Sequence, residues 1–128
     1  MANLNQIADY QADIFGASIL SDSGSETFIS GSSTRRIKIL PTLQPGTWII
    51  NASVNYTANQ AGQRAVEIRV DGTSYGRQAT NSVTNLGTAL STSCIVKSSS
   101  SMTVELWGYQ NSGSNISTAW DYNIVQIK

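Results

Sequence analysis

The side chains best equipped for chemistry in this chain are aromatics and amides. Trp107, Tyr109, Trp120, Asp121 and Tyr122 form the densest such group. In an alternating strand, Trp107 falls opposite Met102, Val104 and Leu106, and therefore points outward. An outward indole can stack on the apolar face of a pyranose while short polar side chains take its hydroxyls. The same aromatics could equally pack against a neighbouring subunit. Asn111 opens a polar run to Asn115, and Ala79 to Asn85 is a second one. Both read as loops at one end of a scaffold, where binding residues concentrate, although Asn and Ser are also ordinary turn residues. Tyr75 and Arg77 straddle a glycine after a hairpin. They suit an anionic sugar or a phosphate, or serve simply as strand-face residues. Arg35, Arg36 and Lys38 make a small basic cluster, read as a solvated strand face or a docking contact.

Catalysis finds little support. The chain has no histidine, which removes histidine acid–base chemistry and histidine-ligated metals. Its serines lack such a partner, and no Ser-x-x-Lys motif occurs. Glycoside cleavage needs two carboxylates across a cleft. Asp71 falls in a turn, Glu67 and Glu105 on outward strand faces, and Asp9, Asp13, Asp22 and Glu26 in the N-terminal segment; only Asp121 lies near aromatics. No acidic loop is dense enough for calcium. A non-enzymatic protein without metal or cofactor is expected.

Composition narrows the class further. Eight Lys and Arg balance eight Asp and Glu, and only 12% of residues are charged. Scattered cations at zero net charge do not make a nucleic-acid surface. No run of 18 apolar residues exists, so no membrane insertion is expected. The N-terminus carries no secretory pattern, which predicts synthesis in a cytoplasm. The sequons at Asn51, Asn55 and Asn115 then read as coincidence in an Asn-rich chain. A single cysteine, Cys94, excludes an intrachain disulfide framework and reads as a buried thiol.

The elements that must position these residues are strands. Alternation begins at Arg35, with Arg36 and Lys38 on one face and Ile37 and Ile39 on the other. Pro41 to Gly46 is a turn cluster. Trp48, Ile50, Ala52, Val54 and Tyr56 then share one face, and Ile49, Asn51, Ser53, Asn55 and Thr57 the other. Asp71-Gly72 predicts a hairpin between Val66–Val70 and a return strand, Thr73 to Gln78. Further strands are expected over Gly87–Lys97, Met102–Trp107 and Tyr122–Lys128. Leu4, Ile7, Gln11 and Ile14 have heptad-like spacing, which fits a short helix or coiled-coil stub, although under two heptads favour an extended arm or first strand, while Ser21 to Ser25 reads as a loop. Seven or eight short strands with turn signals between them predict an all-β antiparallel jelly-roll sandwich.

Several segments, in order, resemble the globular heads of the complement and tumour-necrosis-factor type. They are Leu43 to Val54, with its Pro-Gly-Thr-Trp start, Gly62 to Thr73, Thr88 to Ile95, Ser101 to Gly108, and Ile124 to Lys128. The resemblance covers about residues 43 to 128 and implies a jelly roll of 7–10 strands. Low charge and Ser/Asn richness look most like the heads of bacteriophage fibres and baseplates. Such a resemblance implies a homotrimer that binds a cell-surface saccharide on a virion. No collagen-like stalk or long coiled coil is present, and the carboxy-terminal Gly-Phe pattern of the animal proteins is missing, so the animal partners are not implied.

The expected organisation is an N-terminal arm or attachment segment, residues 1–34, and a jelly-roll head, residues 35–128. The expected function is virion attachment by a homotrimer, with host saccharide or another virion protein as partner. Its candidate binding residues are Trp107, Tyr109, Asn111, Trp120, Asp121, Tyr75 and Arg77. An apolar fraction of 40% beside so little charge is consistent with subunit interfaces. Two other readings stand beside it: a capsid decoration or collar protein, and a monomeric carbohydrate-binding module.

Overall fold

The structure is a computed structural model that describes residues 19–31 and 33–128. The described residues form eight strands, in order: β1 (Ile19–Phe28), β2 (Arg35–Ile39), β3 (Gly46–Tyr56), β4 (Gly62–Val70), β5 (Thr73–Ser82), β6 (Thr88–Ser98), β7 (Val104–Gln110) and β8 (Ile116–Gln126). They form two four-stranded antiparallel sheets, sheet A in the order β1-β8-β3-β6 and sheet B in the order β2-β7-β4-β5. Connections pass back and forth between the sheets, which is the jelly-roll arrangement.

The alternation over β3 appears as read: Trp48, Ile50, Ala52, Val54 and Tyr56 are all buried. They meet Val66, Ile68 and Val70 of β4 and Val104 and Leu106 of β7 in one core. Tyr56 links the layers directly. Its hydroxyl donates to the Ala65 carbonyl at 2.7 Å and accepts the Tyr109 amide at 3.2 Å. The hairpin at Asp71-Gly72 is also as expected, with both residues at positive φ, 49° and 81°. The Asp71 carboxylate then accepts the Thr103 amide and hydroxyl, pinning the hairpin to the approach of β7.

Four local readings are corrected. Ser21 to Ser25 is strand, not loop. It belongs to β1, which pairs with β8 over its whole length, so the sandwich takes in part of the segment read as an arm. The heptad-spaced residues Leu4 to Ile14 lie outside the described residues. Small residues suit β1 because Trp120 lies over it: a Cβ on Gly24 would stand 2.5 Å from the indole. In β2 a bulge between Arg36 and Lys38 resets the alternation. Lys38 therefore turns toward Trp120, its ammonium 5.2 Å from the ring centroid, while Ile39 is 59% exposed. The polar run from Ala79 is strand as far as Ser82, held by pairing to β4. Finally, β8 begins at Ile116, six residues before the expected Tyr122.

Candidate functional site

The expected aromatic cluster is divided between two surfaces. Trp107 and Tyr109 are half-buried on the outer face of sheet B, as the alternation of β7 requires. Trp120 and Tyr122 point inward from β8 and are buried, their rings stacked at a centroid separation of 6.1 Å. Trp120 is therefore a core residue; the even positions of β8 from Ile116 to Ile124 all face inward. Tyr122 has its phenol pKa raised by burial, with a further contribution from the Asp22 carboxylate.

Around Trp107, sheet B is already occupied by its own side chains. The Arg69 guanidinium stacks on the indole, 3.9 Å from the ring centroid. Arg69 and Arg77 both reach the buried Glu67 carboxylate, at 3.1 and 3.2 Å. Burial would raise the Glu67 pKa. Hydrogen bonds from Arg69 and Ser74, with the charges of Arg69 and Arg77, outweigh that and hold it below the usual carboxylate range. Arg36 adds a 2.8 Å bridge to Glu105. Arg35 and Arg36 are exposed, as a solvated strand face requires, and with Trp107 they line a shallow depression. Asn111 does structural work too: its side-chain carbonyl accepts the Gln63 amide at 2.6 Å and ties β4 to the loop after β7.

A different surface gathers polar groups without using them up. The outer face of sheet A carries the odd-numbered residues of β3, β6 and β8. Register places Asn51 beside both Asn123 and Ser93, and Ser53 beside both Asp121 and Ser91. Asn51 donates its amide to the Asn123 side-chain oxygen at 2.9 Å, and Ser53 donates its hydroxyl to Asp121 Oδ1 at 2.7 Å. These residues line an open concavity of about 590 Å³, with β5 residues Tyr75 to Gln78 on its border. Tyr75 is 51% exposed there. The border can lie so close because residue 76 is glycine: a Cβ would stand 2.5 Å from the Thr92 hydroxyl.

The concavity thus brings together Tyr75, Arg77 and Asp121 of the expected residues, and leaves out Trp107, Tyr109, Asn111 and Trp120. Arg77 belongs to it only in part, since its guanidinium is turned to Glu67 and to the Thr34 hydroxyl. Sequence reasoning missed Asn51, Ser53, Ser91, Ser93 and Asn123. Their outward alternation on β3 was readable; the pairing of β3 with β6 and β8 that joins them was not. Cys94, half-buried on the inner side of β6, has its thiol pKa raised by burial.

No family model and no curated protein matches this chain. Solved structures similar to it include a Bacillus endospore appendage, described as forming disulfide-linked pili, at 13% identity and a TM-score of 0.45, covering 87% of this chain and 90% of that one. The globular domain of zebrafish complement 1qA is similar at 10% identity and a TM-score of 0.48, covering 86% and 97%. A chain of infectious bursal disease virus, Gx strain, is similar at 12% identity and a TM-score of 0.48, covering 85% of this chain and 32% of the viral one.

Proposed function

We propose that this protein is a non-enzymatic attachment head that binds a host cell-surface saccharide, working as a homotrimer on a phage fibre or tail. The observation that carries this reading is the concavity on sheet A. Its floor pairs Asn51 with Asn123 and Ser53 with Asp121, and an exposed tyrosine stands on its border. Amides, hydroxyls and a carboxylate match the hydroxyls of a sugar, and Tyr75 offers an aromatic surface beside them. Shallow sites of this kind bind weakly one at a time, and three copies on one head multiply the affinity. The test is a glycan array probed with labelled protein. The expected result is binding to a defined group of glycans, lost in Tyr75→Ala and in Asn51→Ala while both variants keep the wild-type melting temperature. Binding that survives both substitutions would remove the concavity from the site.

One observation favours a second reading, a structural decoration or collar protein of the particle. Ile49, Ile95 and Val125 form an apolar row on the same face, and Ile95 is 64% exposed. Such a row suits a protein partner. Binding to purified capsids in preference to cells would select this reading. A stable 13.7 kDa monomer that still binds glycans would instead select the carbohydrate-binding module.

A further inference from the structure

We infer that the ligand of the sheet A concavity is an uncharged saccharide, and that Asp121 sets this selectivity; the inference rests on the saccharide reading above. The floor of the concavity is made of side chains that both donate and accept: the amides of Asn51 and Asn123 and the hydroxyls of Ser53, Ser91 and Ser93. Asp121 supplies the formal charge among them, and it is negative. Its Oδ1 accepts the Ser53 hydroxyl, and its Oδ2 has no partner among the described residues. An ionised carboxylate only accepts hydrogen bonds, so Oδ2 selects a ligand that donates. A sugar hydroxyl does so; a carboxylate or phosphate on the ligand does not, and meets a like charge instead.

The cation that could reverse this selection is directed elsewhere. Arg77 borders the concavity, but its guanidinium donates to the Glu67 carboxylate at 3.2 Å and to the Thr34 hydroxyl at 3.3 Å. Glu67 is nearly inaccessible and also holds Arg69, so the three side chains form one network on the outer face of sheet B. Turning Arg77 toward an anionic ligand would leave a buried carboxylate short of a partner, which is costly. The site therefore selects by what it rejects as well as by what it holds.

The experiment compares matched pairs of glycans on one array: galactose and N-acetylglucosamine oligomers against their sialylated or phosphorylated counterparts. It uses the full chain and the variants Asp121→Asn and Arg77→Gln, each checked by circular dichroism to be folded at the assay temperature. The expected result is that a neutral member binds at least about tenfold better than its anionic counterpart. Asp121→Asn narrows that gap to about twofold, and Arg77→Gln leaves it in place. If the anionic members bind as well or better, and Arg77→Gln abolishes that binding, the inference is overturned while saccharide attachment stands. If no member of either series binds, the attachment reading itself fails and takes the inference with it.

Discussion

At Tyr56 a single hydroxyl joins the two sheets, and it does so where water does not reach. Burial pushes the phenol pKa up to about 12, against the opposing influence of the Tyr109 amide and the charges of Arg64 and Arg77. The folded state thus holds the phenol proton more tightly than the unfolded chain does. The resulting stabilisation is fully present below pH 10, the ordinary value, and is lost as pH rises toward about 12. Its size is about 3 kcal/mol. Tyr56→Phe should lose about 1–2 kcal/mol near neutral pH, because the Ala65 carbonyl and the Tyr109 amide lose their partner. The same variant should show a flatter decline of stability above pH 10. Urea midpoints across that range check both; identical declines in the two proteins would remove Tyr56 as the cause. Arg64 presents the opposite problem. It is fully buried, donates to the Gln60 and Gln63 carbonyls at 2.8 and 3.2 Å, and its Nε has no partner among the described residues. Burial lowers its pKa.

Among the elements, β1 and β3 differ most in how far their sequence discloses them. β3 alternates between a core face and a polar face over ten residues, so Trp48 to Thr57 reads as a strand without ambiguity. β1 has no such alternation. Ser-Asp-Ser-Gly-Ser carries a turn composition, yet all five residues pair with β8. What makes them strand is tertiary: the partner supplies the backbone hydrogen bonds, and Trp120 requires the space above Gly24. The bulge in β2 is equally silent, because nothing in Arg-Arg-Ile-Lys-Ile marks where the alternation resets. The inward position of Trp120 was legible, since Ile116, Thr118, Trp120, Tyr122 and Ile124 alternate cleanly; the strand was simply begun too late. The site lies between these cases. Asp121 and Tyr75 could be named from type and neighbours, but their company depends on three strands distant in sequence. A prediction belongs to this scale. Gly24→Val should displace the indole and cost about 1–3 kcal/mol. A melting curve reads the loss and tryptophan fluorescence the displacement. Unchanged values for both would show that β1 yields without disturbing the core.

For the whole molecule, the two outer faces divide the labour. Sheet B ties both of its carboxylates to arginines, Glu67 to Arg69 and Arg77 and Glu105 to Arg36, whereas sheet A presents amides, hydroxyls and an apolar row. The proposed homotrimer would cover that row, as would the protein partner of the second reading. Light scattering after size exclusion should then give about 41 kDa, three copies of the 13.7 kDa chain in a closed ring. Ile95→Lys should reduce the mass to one copy, because a desolvated lysine without a partner opposes the contact. A wild-type monomer would end the trimeric reading and leave the sandwich to act alone.

The place of β8 has a consequence for synthesis. It follows every other strand in the chain, yet it lies inside sheet A, between β1 and β3. A nascent chain that has made seven strands still has a gap in that sheet. β1 has no partner, and the Ile50 and Val54 side of the core lacks Ile116, Trp120 and Ile124. Folding of sheet A must therefore wait for the last strand to leave the ribosome, and a chain cut short before Ile116 exposes apolar surface and unpaired strand edges. Such fragments invite degradation or aggregation. The order of the strands thus makes completion of sheet A depend on translation through β8.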